Sequence, residues 1–241
     1  MTLPRLYRDL ARWWPLLSPP AEYRDEAAWI LETLARAFGR RPATILELGS
    51  GGGNTASFLA PHAQLTLVDL APDMLAESRL LVPAAEHVAG DMRSVRLGRV
   101  FDAVLMHDAI MYMTTERDLA AALATARAHL AGGVAIALPD CVAETFAPGL
   151  ETGGSDAPDG SAARFLEWTH APAPGATAYD VDYALLLRDA GGAVETIHDR
   201  HRCGLFPRAA WRKAFADAGF AAPEIVTDPW KRNVFVAKAG G

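Results

Sequence analysis

Three carboxylates stand at the ends of apolar runs in the first half of the chain: Glu47 in ILEL, Asp69 in QLTLVDL, and Asp91 in GDM with Met92 beside it. Between the first two lies Gly49-Ser50-Gly51-Gly52-Gly53. Glycines at that density let a bulky ligand lie directly on the backbone, where any Cβ would hold it off. Asp69 offers two acceptor oxygens at the separation of a pair of ribose hydroxyls. Asp91 suits an adenine amino group, with the Met92 thioether lining the ring. His107 and His201 are the candidate bases, because imidazole titrates near neutral pH. These residue types point to a nucleotide-like ligand, with a base at hand if the reaction needs one.

The elements that must position them read as strand and helix in alternation. Ile45, Leu46 and Leu48 form a short buried strand, residues 49–53 a tight loop, and Asn54 opens a helix. Residues 64–70 are a second strand, and a helix opens at Pro72, which with Asp73 suits a first turn. Residues 86–89 are a short third strand. Residues 101–107 (FDAVLMH) form a near-continuous apolar fourth strand of the kind buried on both faces. An alanine-rich helix over 115–130, closed by Gly132-Gly133, leads to a fifth strand at 134–138. Such alternation predicts an α/β fold with a doubly wound, mostly parallel sheet, and ligands in these sheets sit outside the carboxyl ends of the strands.

The second half changes character. Residues 139–160 are dense in Gly, Pro, Ser and Asp and predict a long loop. Segments 163–170, 179–188 and 194–201 then alternate at period two between turn signals, which predicts an inserted antiparallel three-stranded meander. Arg164, Trp168 and Tyr179 in that meander are the substrate-binding candidates, Arg164 as a partner for a substrate carboxylate. A helix at 208–218 ends at Gly219, and two strands follow at 224–226 and 233–237. At the other end, residues 22–38 predict a helix stopped by Gly39, preceded by an aromatic, proline-rich stretch that is either a lid or a packed arm.

Composition fits one α/β domain. The 241 residues are 51% hydrophobic and 22% charged, with a net charge of -6, which argues against a broad phosphate-binding face for nucleic acid. Two cysteines, Cys141 and Cys203, make neither a disulfide framework nor a metal site. Without a signal-peptide pattern or a bilayer-length apolar run, the expected setting is cytoplasmic, with no membrane partner. The expected organisation is a single domain over 1–241. It comprises a lid and helix (1–40), a cofactor core (41–140), a loop and substrate-covering meander (141–203), and a last helix with C-terminal strands (204–241).

The run Glu47-Leu-Gly-Ser-Gly-Gly-Gly resembles the first motif of the class I S-adenosylmethionine (SAM) dependent methyltransferases, and residues 45–138 are similar to their core throughout. GDMRSVRLGRVFDAV (90–104), ETFAPG (144–149) and DRHRCGLFPRAAWRKAFADAGF (199–220) are similar to the N,N-dimethyltransferases that act on amino sugars. The resemblance implies S-adenosyl-L-methionine as cofactor, a seven-stranded Rossmann-like sheet whose last strand is antiparallel, and extra strands covering a small-molecule substrate. By position it implies Gly49, Gly51 and Gly53 against the cofactor, Asp69 on its ribose, Asp91 and Met92 at its adenine, and Tyr23 near its methionyl end. Glu47, Ser50, Leu70 and His107 complete the cofactor candidates. The chain departs from the pattern at His107 and Asp108 and through the meander, so the reaction carries over further than the sugar.

In-line displacement on a sulfonium methyl needs chiefly collinear positioning at near-attack distance. His201, near Asp199, is the preferred base if the acceptor arrives protonated. Three alternatives compete with small-molecule N- or O-methylation. A nucleic-acid methyltransferase is weakened by Asp108-Ala109-Ile110 in place of a base-gripping Pro-Pro-aromatic segment. A nicotinamide oxidoreductase is weakened by Asn54, where the dinucleotide fingerprint needs glycine. A non-catalytic SAM-fold binding protein, with the meander as a homodimer surface, stays open.

Overall fold

The computed structural model describes residues 3–240; the extreme ends of the expected first and last segments, residues 1–2 and 241, lie outside them. Seven strands form the main sheet: β1 (Thr44–Leu48), β2 (Gln64–Asp69), β3 (Glu86–Ala89), β4 (Phe101–His107), β5 (Leu130–Leu138), β10 (Glu224–Thr227) and β11 (Asn233–Lys238). Their order is β10-β11-β5-β4-β1-β2-β3, with β11 antiparallel to its neighbours and the rest of the pairings parallel. This is the doubly wound, mostly parallel sheet that the strand-helix alternation predicts. Strand order reverses between β1 and β4, so a crevice opens beyond their carboxyl ends.

Period-two alternation sends β1, β4 and β5 side chains into two cores. Leu46, Leu48, Val104, Met106, Ala135 and Ala137 pack with α5 (Glu116–Ala128) and α6 (Arg208–Asp217) on one face. Ile45, Ala103, Leu105, Val134 and Ile136 pack on the other with α2 (Arg24–Phe38) and α3 (Asn54–Leu59). Every one of these strand residues is fully buried, which is why the runs read as continuously apolar. Thr115 caps α5, its side chain accepting from Asp118 N. Gly132-Gly133, expected to close the helix, instead lie within β5. There Gly132 has φ +88°, the register against β4 shifts, and the chains approach so closely that a Cβ on Gly133 would come within 2.4 Å of Asp102 O.

The second sheet has four strands where three were expected: β6 (Gly149–Gly153), β7 (Ala162–Thr169), β8 (Ala178–Arg188) and β9 (Val194–Gly204), all antiparallel. The extra strand, β6, came from the stretch predicted to be loop. Its residues are exposed or half-buried, so no apolar alternation advertised it. The inward face of this sheet, Ala163, Leu185, Leu187 and Ile197, packs against Leu6, Leu10, Trp13 and Leu17 of the N-terminal arm. The arm winds through short 3₁₀ turns and the one-turn helix α1 (Trp14–Leu17). It also rests on α4 (Pro72–Leu81), where Ala11 and Trp14 meet Met74. Among the described residues no helix is long and apolar enough to cross a membrane.

Candidate active site

A cavity of about 370 Å³ occupies the crevice beyond β1 and β4 and runs under the arm to the inward face of the second sheet. Its floor is the glycine loop. Gly49 N and Ser50 N donate to Val68 O at 2.7 and 3.0 Å, and Gly49, Gly51 and Gly53 all take positive φ. A Cβ on Gly49 would lie 2.3 Å from Ala109 Cβ, and one on Gly52 would lie 2.5 Å from Trp14 Cδ1. Beside Gly51 only Met74 Cε, at 3.6 Å, would meet an added Cβ, so there the backbone lies open to a ligand. Gly53 does not line the cavity. Its bare Cα lets α3 start against α4, since a Cβ would meet Ser78 Oγ at 2.5 Å.

Asp69 ends β2 and braces this loop. Its Oδ2 accepts from Gly51 N at 2.7 Å and its Oδ1 from Ala71 N at 2.8 Å, so each oxygen keeps acceptor capacity for a further donor. Burial raises its pKa against these backbone hydrogen bonds. The two oxygens of Asp91 accept from Arg93 N and Nε and from Nη2 at 2.5–3.0 Å, and Arg93 Nη1 lies 3.5 Å from Asp118. That pairing holds the Asp91 pKa below the usual range. Asp91, a quarter exposed, and Met92, 9% exposed, both line the cavity, with Arg93 fixing the carboxylate's orientation.

Glu47 and His107, at the ends of β1 and β4, face each other's charge. Glu47 is 3% exposed and its Oε2 has no hydrogen-bond partner. Burial, with Asp69 and Asp108 adding to it and His107 opposing, pushes its pKa up to about 8. Burial alone would lower the His107 pKa, yet Asp108, Glu26 and Glu47 raise it to about 9. His107 Nε2 sits 3.1 Å from Glu26 Oε1 and 3.3 Å from Asp108 Oδ1, as charge contacts rather than aligned hydrogen bonds, while Nδ1 meets Thr55 Oγ1 at 3.2 Å. That shift favours the charged form of His107 beside Glu26 and Asp108. Glu26 in turn pairs with Arg232, which Asp228 also holds at 2.7 Å. Against the cost of burial, His107 and Arg232 hold the Glu26 pKa down to about 2.

His201 lies on β9 at 2% exposure. Its Nε2 is 3.2 Å from Asp199 Oδ2, which also accepts from Leu6 N at 2.8 Å. Its Nδ1 is 2.8 Å from Tyr112 Oη, and Tyr112 donates to Tyr7 Oη at 2.8 Å. Both ring nitrogens are therefore occupied, and His201 lines this end of the cavity together with Tyr7 and Tyr112. Tyr183 packs over the ring at 4.6 Å and donates to Glu167 Oε2 at 2.8 Å. Tyr179 lines the same wall, 6% exposed.

Of the other candidates, Tyr23, Ser50 and Leu70 line the cavity. Arg164 and Trp168 do not. They have the parity of the outward face of β7: Arg164 pairs with Asp156 at 2.5 Å, and Trp168, 55% exposed, lies 4.9 Å from His170. The inward residues of that strand are the odd-numbered ones, among them Phe165 and Glu167. Sequence reasoning missed Tyr7, Trp14, Tyr112, Asp140 and Glu167 in the cavity wall. The aromatic density of the arm was the one signal that pointed toward two of them.

Residues 45–133 match the family model described as a methyltransferase domain. The dTDP-3-amino-3,4,6-trideoxy-alpha-D-glucopyranose N,N-dimethyltransferase of Streptomyces venezuelae is 32% identical over 219 residues, covering 89% of this chain and 90% of that protein. Among solved structures, the sugar N-methyltransferase KedS8 from a Streptoalloteichus species superposes with a TM-score of 0.83 at 25% identity, covering 100% of this chain and 95% of that one. The SAM-bound amino pentose methyltransferase CalS10 from Micromonospora echinaspora gives 0.76 at 28% identity, covering 90% and 91%. An open glycine loop, a braced strand-end aspartate and an unpartnered buried glutamate fit an adenosyl sulfonium, and with these matches the chain belongs to the class I SAM-dependent methyltransferases, alongside the sugar N,N-dimethyltransferases.

Proposed function

We propose that this protein methylates the amino group of an amino sugar. The observation that carries the reading is the single cavity in which the glycine loop and Asp69 at one end meet Tyr7, Tyr112 and His201 at the other. S-adenosyl-L-methionine supplies a methyl group already activated by its sulfonium. The protein's part is to hold donor and acceptor in line, exclude water, and remove one proton. Gly51 would lie against the cofactor, Asp69 would receive its ribose hydroxyls, Met92 would line its adenine, and Glu47 and Tyr23 would stand at its methionyl end.

An amine reaches the site as ammonium and must lose a proton before it can attack. When Tyr112 turns its hydroxyl proton onto His201 Nδ1, its oxygen takes the ammonium proton. The net result is a neutral amine, a neutral tyrosine and an imidazolium held by Asp199. His201 is thus the proton acceptor behind Tyr112. The arm, core, second sheet and C-terminal segment act as one unit around this cavity. A homodimer through the outward face of the second sheet, where Leu150, Trp168 and Leu186 are exposed, fits the same arrangement. Incubation with SAM and a panel of amino sugars should release S-adenosylhomocysteine and add one and then two methyl groups to the acceptor, read by mass spectrometry. Cofactor binding with no product from any amine would overturn the reading.

A further inference from the structure

Where β4 ends, the chain reverses within one residue, Asp108. Its N–H still donates to Leu138 O at 3.0 Å, in step with β5, while its carbonyl already accepts from Met111 N at 2.8 Å and opens the 3₁₀ turn Ala109–Tyr112. Between those two bonds Asp108 holds φ +42° and ψ −52°. A residue with a side chain seldom takes a positive φ, and this ψ lies outside even the left-handed helical well. The position is strained, and such strain persists only where the surroundings enforce it.

The surroundings do so through charge. Asp108 Oδ1 lies 3.3 Å from His107 Nε2 and 3.6 Å from Arg232 Nη1, and Arg232 is itself fixed by Glu26 and Asp228. Among the described residues only Asp108 and Lys231, glycines aside, take positive φ, and Lys231 directly precedes Arg232. Both strained residues thus adjoin one charge contact. Downstream, Ala109 presses so closely on the glycine loop that Gly49 has no room for a Cβ, and Tyr112 Oη meets His201 Nδ1 and Tyr7 Oη, each at 2.8 Å. The direction of the turn that carries both residues is set by the two backbone angles of Asp108.

We propose that Asp108 is a positioning residue for the amine methylation proposed above, on which this inference rests. Its carboxylate, clasped by His107 and Arg232, holds the backbone strained so that Tyr112 stands at His201. The carboxylate acts through the turn, and the strain is a cost to folding that serves turnover.

Glycine accepts this backbone without strain, so Asp108→Gly separates positioning from support. The probe is whichever amino sugar of the panel above the wild-type protein methylates fastest, the panel including dTDP-3-amino-3,4,6-trideoxy-α-D-glucopyranose. Asp108→Gly should lower kcat about tenfold or more, leave the KM for that sugar within about threefold, and melt no lower than wild type. Asp108→Asn, which tolerates positive φ and keeps its reach to His107 and Arg232, should retain at least about a third of the wild-type kcat. A glycine variant with undiminished kcat overturns the inference, as does a loss that falls on KM instead. So does a glycine variant that melts several degrees lower or fails to fold, since the carboxylate then merely supports the structure. Wild-type protein that binds S-adenosylhomocysteine but methylates no amino sugar fails the amine reading before any variant is compared, and takes this inference with it.

Discussion

At the scale of single residues, the site turns on which groups hold protons. If His201 takes the acceptor's proton through Tyr112, His201→Gln should cut kcat on the order of 10²-fold near pH 7, and the loss should shrink toward pH 9 as the amine deprotonates in solution. A loss equal at all pH values would make His201 merely structural. Glu47 and His107 both bind a proton more tightly in the folded chain than in the unfolded one. The stability each adds is therefore full at low pH and lost on raising it: from 4.5 to about 8 for Glu47, and from 6.5 to about 9 for His107. Ligand-free protein should melt at progressively lower temperature between pH 6.5 and 9. Glu47→Gln should flatten that decline while weakening SAM binding, both visible in melts with and without ligand. The acidic residues and glycines of this site were legible because their chemistry and spacing sit on consecutive strand ends. Glu26 and Arg232 were not, because their pairing joins residues 206 positions apart and no local pattern encodes it.

At the scale of elements, the arm and the glycine loop are pressed together. Gly52 has an ordinary negative φ, so alanine there meets no backbone strain, but its Cβ would fall 2.5 Å from Trp14 Cδ1 and 2.9 Å from Nε1. An indole ring cannot fold aside as a flexible chain end can, so the arm must lift. Gly52→Ala should weaken SAM binding about tenfold or more, with little change in the melting temperature. Trp14→Ala should cost less in that background than alone, a coupling that a double-mutant cycle reads directly. Strand and helix alternation foretold the main sheet because its central strands β1, β4 and β5 are buried on both faces. In the second sheet periodicity marked the strands but not which parity faced inward, and so Arg164 and Trp168 fell on the wrong side. β6 carries no apolar signal at all, being paired on one edge and exposed on its side chains.

At the scale of the whole molecule, Arg232 ties the turn between β10 and β11 to α2 at the other end of the chain. Glu26 and Asp228 are both under 10% exposed, so removing the guanidinium leaves Glu26 with His107 alone and Asp228 with only the backbone N–H of Arg232. Arg232→Met should destabilise the fold by about 3–5 kcal/mol in denaturant titration, and adding Glu26→Gln should recover part of the loss. The doubly wound architecture was legible from order and length of elements alone, whereas this clasp between the two ends belongs to the folded chain only. The arm draws a last consequence from its own fastenings. Leu6 N on Asp199 shuts it onto the second sheet and Tyr7 fastens it to Tyr112 in the turn after β4, while Trp14 covers the glycine loop below. Whatever occupies that loop has to arrive first and depart last. Turnover should follow a compulsory order, the demethylated product competing with SAM but not with the amine, and a random pattern of product inhibition would mean that the roof is no gate.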